Sequence, residues 1–256
     1  TSGAYRNIQG LQRLLWTVEG THNFMAKKKK QSTLMVVLTL VVALVAWYIK
    51  NKNPDLLDNL TGGNSAPVSM DGLSEVKVVG NDYEVLENCS LVDHRHNDGD
   101  SFHVKHPKGK DEIRLYYADT AESAYKTYGR GENNGDRLDK QGQYFGGLNR
   151  KQTAELGKLG KKRTMSLIKG KKFKIITKWE PVTNRQSETR KHAFIVLEKD
   201  GKEYYLHELL VQEGLVRLST RGGNLPDGTS WKKQKDRLKA MENDAKKREV
   251  GAWGMK

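Results

Sequence analysis

The chain has 256 residues and a formal net charge of +14 at pH 7, from 45 Lys and Arg against 31 Asp and Glu. This length fits one compact domain with appendages or two small domains. The charge favours a polyanionic partner, either nucleic acid or an anionic membrane surface, over a solvated basic surface without a partner. A single cysteine excludes an internal disulfide and a thiolate-rich zinc site, and Cys89 lies in an apolar run, where we expect a buried structural thiol.

The first 24 residues show no functional pattern. Met25 is followed by Ala26 and four lysines, which is typical of a natural translation start. We therefore hypothesise that residues 1–24 are a mis-assigned upstream extension, and the predicted N-terminal extension with its basic segment spans 1–32. Mapping the N-terminus of the native protein tests this hypothesis, and native peptides from before Met25 would contradict it.

An uncharged apolar run, LMVVLTLVVALVAWYI, occupies residues 34–49. It predicts a transmembrane signal-anchor helix over 33–50, with flanking polar residues and lysines extending a span that is slightly short for the bilayer. A cleaved signal peptide is the first alternative, although a small-x-small cleavage site is missing near Ala46. A buried core helix is the second, and it is disfavoured by the basic flanks.

The lysines are denser before the apolar run than after it. The positive-inside rule therefore predicts a single-pass protein with a cytoplasmic N-terminus and everything after Lys50 on the extracytoplasmic side. Residues 51–80 are rich in Asn, Gly, Ser, Asp and Pro, which predicts a flexible linker. The folded domain is expected over 81–256.

Periodicity within this domain predicts strands followed by helices. Expected strands are 83–92, 101–106, 113–118, 173–179, 193–197 and 203–206, and expected helices are 149–170, 206–213 and 230–249. Two glycines, Gly157 and Gly160, weaken the first helix. The pattern predicts an α+β fold: a small antiparallel β-barrel of the oligonucleotide/oligosaccharide-binding kind, flanked by about three helices.

Acidic residues occur on both arms of the first predicted hairpin. With the turn centred between Lys108 and Gly109, Asp100 would lie opposite Tyr117, and Asp98 would lie opposite Asp119. Like charges this close are costly unless a cation neutralises them, and hard oxygen ligands suit Ca²⁺ or Mg²⁺. The alternative is an ordinary Asp-Gly turn with acidic neighbours.

Three short motifs occur in the order and spacing of one known family. Residues 98–101 (DGDS) resemble its DGDT motif, residues 114–122 resemble R-L-x-x-x-D-T-P-E, and residues 190–194 resemble R-G-x-A-Y. The chain thus resembles the staphylococcal nuclease (thermonuclease) family over 83–253. The resemblance implies a nuclease-type barrel and a catalytic domain over 81–256.

The resemblance also implies a calcium site. One Ca²⁺ would be bound by the carboxylates of Asp100 and Asp119 and by the backbone carbonyl of Thr120, and Asp98 would lie behind these ligands. No other cofactor is implied.

The same resemblance assigns three residues to catalysis. Glu122 would orient or deprotonate the attacking water, and Arg114 and Arg190 would hold the phosphate, since guanidinium forks match phosphate geometry. The implied function is calcium-dependent hydrolysis of DNA or RNA phosphodiesters, by endonuclease or exonuclease action. No obligate protein partner is inferred.

Two other functions are open at this stage. The first is a non-catalytic, membrane-tethered nucleic-acid-binding module with the same barrel, although inactive copies should lose the acids or arginines that this sequence keeps. The second is docking of the basic helix 230–249 on anionic lipid, for which core packing is the favoured alternative.

The sequence departs from the family pattern at several positions. Ala121 replaces the proline of the second motif, and Glu188 and Thr189 replace a lysine and a tyrosine that would grip a phosphate and stack on substrate. Residues 217–221 lack the tyrosines expected after 213–215. An insertion at 129–145 is predicted to form a replacement substrate wall through its basic residues, which are Arg130, Arg137 and Lys140.

Four histidines flank the acids and permit an alternative transition-metal site, which we disfavour against ordinary solvent-facing or hydrogen-bonded histidines. They are His94, His96, His103 and His106.

Overall fold

A closed five-stranded barrel forms the centre of the fold in the computed structural model, which describes residues 70–183 and 188–255. The barrel strands are β1 (Glu84–Leu91), β2 (Ser101–His106), β3 (Gly109–Leu115), β5 (Phe173–Pro181) and β6 (Lys191–Lys199). They pair in the order β3-β2-β1-β5-β6, and β6 pairs again with β3. A further strand, β7 (Lys202–Tyr205), pairs with β6, and β4 (Ala118–Thr120) pairs with β8 (Val216–Leu218).

The barrel confirms the predicted α+β class and is consistent with an oligonucleotide/oligosaccharide-binding barrel. The prediction that it is wholly antiparallel is wrong, because β3 and β6 pair in parallel, with Arg114 beside His192. The reason is geometric: strand directions cannot alternate all the way round a closed ring of five, so one neighbouring pair must be parallel.

Four α-helices surround the barrel in the described residues, where about three were expected. They are α1 (Gly135–Tyr144), α2 (Arg150–Ile168), α3 (Leu206–Gln212) and α4 (Trp231–Lys247), and 3-10 turns occur at Gly129–Gly131 and Gly251–Gly254. The additional helix, α1, lies in the segment that was predicted only as an insertion.

The two glycines of α2 let this helix approach the strand that carries the acids. A Cβ at Gly157 would lie 2.5 Å from the carbonyl oxygens of Ala121 and Glu122, and one at Gly160 would lie 3.2 Å from a methyl carbon of Thr120. Asn149 starts the helix with a capping box to Gln152. The residues that weakened the helix prediction therefore position the helix against the candidate site.

The segment before the barrel contacts three elements around it, which are β7, the loop after β8 and helix α3. The backbone N–H of Val76 donates to Glu203 (2.9 Å) and that of Val79 donates to Pro226 (2.8 Å). Ser74 donates to the buried carboxylate of Glu208 through its backbone N–H (2.7 Å) and its hydroxyl (2.9 Å). The described part of the predicted linker is thus in contact with the folded domain.

The predicted extension at 1–32 and the anchor at 33–50 lie outside the described residues, as does most of the linker at 51–80. Within 70–183 and 188–255, every helix is too short or too polar to cross a bilayer.

Candidate functional site

The β2–β3 hairpin positions the first aspartate. Its two-residue turn is Pro107 and Lys108, so His106 pairs with Gly109 and Ser101 pairs with Arg114. Asp100 consequently lies opposite Leu115, whose N–H donates to the Asp100 carbonyl (2.9 Å). The predicted register, which placed Asp100 opposite Tyr117, is wrong by two residues, because Pro107 lies in the turn itself and the turn is centred one residue earlier than expected.

The second aspartate reaches the first through a break in the strand and not through the hairpin ladder. Tyr117 has a positive φ of 66°, which turns the chain after β3. The short strand β4 then pairs with β8, and Asp119 lies opposite Arg217. The predicted pairing of Asp98 with Asp119 is therefore absent, yet both Asp100 and Asp119 contact one guanidinium, that of Arg114.

Asp100 is 4% exposed and fully hydrogen-bonded. Its Oδ2 accepts from the backbone N–H (2.7 Å) and hydroxyl (3.1 Å) of Thr120. Its Oδ1 accepts from the Ser101 hydroxyl (3.0 Å) and from Nη1 of Arg114 (3.1 Å). Burial raises the pKa of Asp100; the charge of Asp119 also raises it, and Arg114 opposes both. Neutralising charge nearby is therefore needed to keep this carboxylate ionised.

Both carboxylate oxygens of Asp119 are held by arginine side chains. Arg114 donates to its Oδ1 through Nη2 (2.6 Å), and Arg217 donates to its Oδ2 through Nε. Arg137 on α1 lies 3.6 Å from Oδ1. Both carboxylate oxygens of Asp119 thus contact guanidinium groups.

Thr120 and Glu122 continue the same segment. The Thr120 carbonyl, a predicted calcium ligand, accepts from Nε2 of Gln141 (3.3 Å), and the Glu122 backbone N–H donates to Oε1 of that glutamine (3.0 Å). The Glu122 carboxylate is held by Nε of Arg137 (3.1 Å) and by the Asn134 amide (3.4 Å). Helix α1 therefore fixes the orientation of the segment that carries the predicted base.

Asp98 lies just before these groups, and its carboxylate accepts from the N–H of Gly99 (2.8 Å). Burial raises the pKa of Asp98, and the charges of Asp100 and Glu122 raise it further. Asp98, Asp100, Asp119 and Glu122 therefore form one electrostatic group, which we call the acid cluster.

Arg190 immediately precedes β6 and is brought near the hairpin by the parallel β3–β6 pairing. Its guanidinium forms a two-point ion pair with Glu188, through Nε (2.9 Å) and Nη2 (2.8 Å). This hydrogen bonding lowers the pKa of Glu188 to about 2. Glu188 raises the pKa of Arg190, to which Glu112 and Asp100 also contribute. The acid cluster thus influences the pKa of Arg190 through its charge, but the direct hydrogen-bond partner of Arg190 is Glu188.

The structure thus brings six of the predicted residues into one region, and it leaves Arg190 paired with a neighbouring carboxylate. The sequence reasoning missed Arg217 and Gln141. Arg217 had been noted only as part of a departure from the family pattern, because the pairing of β8 with the acid-bearing strand β4 does not show in the sequence.

The four flanking histidines contact one another or a neighbouring carboxylate. The rings of His94 and His103 lie 3.8 Å apart and those of His94 and His96 lie 5.0 Å apart, while His106 pairs with Asp111 (2.8 Å). In the described part of the chain, no three or more His, Cys, Asp or Glu side chains are grouped so that they could hold a metal ion.

The acid cluster supplies donor types that fit Ca²⁺, since carboxylate and carbonyl oxygens are its usual ligands. The Asp119 oxygens, however, contact guanidinium groups in this arrangement.

No protein-family model matches the chain, and no curated protein matches it. The calcium site and the family resemblance therefore stay predictions.

Proposed function

We propose that this chain is a phosphodiesterase of the staphylococcal nuclease type that hydrolyses DNA or RNA. The observation that supports this proposal best is the contact of one guanidinium, Arg114, with two buried aspartates at the end of a barrel hairpin. Such a group of buried charges is expensive for a purely structural role, because burial disfavours every ion in it.

The arginines account for substrate binding in this proposal. A phosphodiester resists attack by water because it carries negative charge, and guanidinium forks neutralise that charge with matching geometry. Arg114 is fixed by two carboxylates and would need no further ordering, but it would have to bind a phosphate through N–H groups that its present partners leave unused. Arg190 would have to exchange one of its bonds with Glu188 for a bond to phosphate.

Glu122 is the group that would take the proton from water. Arg137 and Asn134 hold its two carboxylate oxygens and so set its direction. Asp100, Asp119 and the Thr120 carbonyl would hold Ca²⁺, which when bound supplies positive charge to the phosphate oxygens.

A second candidate is a non-catalytic nucleic-acid-binding module. Its specific support is the saturation of Asp119, both of whose oxygens already contact arginines. On this view the acids order the arginines, and the arginines bind phosphate without hydrolysis.

Cleavage assays on the purified full chain separate the two candidates. Single-stranded DNA, duplex DNA and RNA would be incubated with Ca²⁺, with Mg²⁺ and with chelator. Asp100→Ala and Arg190→Ala should each lower a calcium-dependent rate by about 100-fold or more. Asp139→Ala is the matched control, because Asp139 is an exposed carboxylate paired with Arg150. Salt-sensitive binding without any cleavage would favour the non-catalytic module.

We further propose that residues 33–50 anchor the domain on the extracytoplasmic face of a membrane. External protease should then digest the domain in intact cells without permeabilisation. Digestion only after permeabilisation would contradict this orientation.

A further inference from the structure

A groove on the barrel surface lies outside the acid cluster. It is formed by the end of β5, the loop after β8 and the start of α4, and its lining includes Tyr83, Lys178, Glu180, Arg221, Asn224 and Trp231. Trp231 is 52% exposed. An indole left this open at the edge of a groove offers a flat face to a ligand.

The loop between Arg221 and Asn224 is held firmly against the barrel. A Cβ at Gly222 would lie 2.6 Å from the Tyr117 ring, and one at Gly223 would lie 3.2 Å from the Tyr116 ring, so both glycines permit a close approach. Asn224 accepts from the Trp231 backbone N–H (2.9 Å) through its side chain and from the Tyr83 hydroxyl through its carbonyl. The groove is therefore pre-formed, which lowers the entropic cost of binding.

The charges in the groove suit a ligand with phosphates and aromatic rings. Nη2 of Arg221 contacts Oε1 of Glu180 (2.9 Å), and the other Glu180 oxygen accepts from the Tyr116 hydroxyl (2.6 Å). Nζ of Lys178 lies 4.4 Å from the centre of the Tyr83 ring and 3.5 Å from Asp82. Arg221 and Lys178 are thus each paired with an acid, and positive charge beyond these pairs comes from the exposed lysines at 232 and 233, beside Trp231.

The groove is connected to the acid cluster through the backbone. The Tyr117 N–H donates to the Arg221 carbonyl (3.0 Å), and Tyr117 precedes Asp119 by two residues. Arg221 follows Arg217, the partner of Asp119, by four residues, which is at most about 14 Å of extended chain. The backbones of the two sites therefore lie within a distance that a short single strand can span.

We infer that this groove binds one base of a single-stranded nucleic acid, with the base stacked on Trp231 and a flanking phosphate near Arg221 and Lys178. The inference rests on the proposed nucleic-acid substrate and adds a site to it. It also gives a stacking surface to a chain that lacks tyrosines at 217–221. Stacking on aromatic side chains next to a cationic groove is the usual way in which barrels of this kind bind single strands.

Binding is measured with the full chain, in mild detergent because of the predicted anchor, and with chelator to prevent cleavage. The probes are a fluorescent oligo-dT strand and a strand of equal length with abasic sites. Trp231→Ala should weaken oligo-dT binding by about 5-fold to 100-fold, and Trp231→Phe should restore most of it. Leu159→Ala, which removes an exposed apolar side chain on α2, should change binding less than 2-fold, or about the error of the assay.

The abasic strand separates stacking from charge. It should bind wild type more weakly than oligo-dT does, and it should lose little further affinity in Trp231→Ala. Equal losses on both strands, or unchanged oligo-dT binding in Trp231→Ala, would overturn the inference.

The inference and the proposed nuclease activity can fail separately, because binding is measured without cleavage. If the chain is inactive but its binding depends on Trp231, the groove inference is supported and the proposed nuclease activity is refuted. If the chain cleaves nucleic acid but its binding is unchanged in Trp231→Ala, the nuclease proposal is supported and the groove inference is refuted.

Discussion

Arg217 provides the sharpest test of the charge balance at the acid cluster. Replacing Arg217 by methionine keeps a similar apolar stem and removes the guanidinium that contacts Oδ2 of Asp119. The pair is well buried, since the side chains of Arg217 and Asp119 are 17% and 5% exposed. We therefore expect a loss of stability from an uncompensated buried carboxylate.

The size of this loss depends on the contacts that Asp119 keeps. Removing one partner of a buried pair costs about 3–5 kcal/mol. Asp119 keeps Arg114 at 2.6 Å, so we expect the free energy of unfolding to fall by about 2–3 kcal/mol. For a domain of this size that corresponds to a drop in Tm of roughly 4–12 °C.

The matched control is Arg150→Met. Arg150 also pairs with an aspartate, Asp139, but the two side chains are 50% and 44% exposed. Water screens an exposed pair, which therefore contributes little to stability, so this variant should unfold almost as the wild type does. Urea denaturation followed by tryptophan fluorescence measures both variants, and the slope with denaturant should not change.

A double variant isolates the cause. Asp119→Asn removes the charge that Arg217 neutralises, so the additional cost of Arg217→Met should shrink to about 1 kcal/mol in that background. Equal costs for Arg217→Met and Arg150→Met would refute the reasoning. An unchanged cost of Arg217→Met in the Asp119→Asn background would refute it as well, because packing alone would then explain the loss.

Three further predictions follow from burial, close packing and charge. Burial lowers the pKa of His207 to about 4. As the pH falls, the unfolded chain therefore binds a proton at His207 before the folded chain does. The free energy of unfolding should keep its full value above pH 6.5 and lose about 3 kcal/mol through His207 as the pH falls towards 4. Urea midpoints at pH 7 and 4.5 should therefore differ less in His207→Gln than in wild type, and equal differences would contradict this. Gly157→Ala should cost about 1–3 kcal/mol by pushing α2 away from the acid-bearing segment, whereas Gly129→Ala, with nothing within 4 Å, should be neutral by the same denaturation assay. Glu188→Gln should free Arg190 and tighten inorganic phosphate binding about 3-fold to 10-fold by calorimetry, and weaker binding would show that Glu188 orients Arg190 for phosphate.

Much of the barrel could be predicted because its signals are local. Strands β2, β5 and β6 show alternating or continuous apolar patterns bounded by turn residues, and α4 shows a helical apolar stripe. The acids at 98–100 and at 119–122 were likewise visible as a pair of short segments. Local pattern decides these features, so one sequence is enough to find them.

The hairpin register could not be predicted, because one residue in the turn shifts every pair in the ladder. The shared contact of Asp100 and Asp119 with Arg114 depends on the positive φ of Tyr117, which no periodicity reveals. The parallel pairing of β3 with β6 is a consequence of ring closure and brings together residues that are almost 80 positions apart.

The sequence by itself determined the short strands that favour a barrel, and it determined the chemical groups that this protein carries. These are two short acidic segments and an excess of arginine and lysine. Only the tertiary structure decided which charge neutralises which, pairing Arg217 with Asp119 and Glu188 with Arg190. The physical reason is that electrostatic partnership depends on distance and burial in three dimensions, and neither quantity is written in the order of residues along the chain.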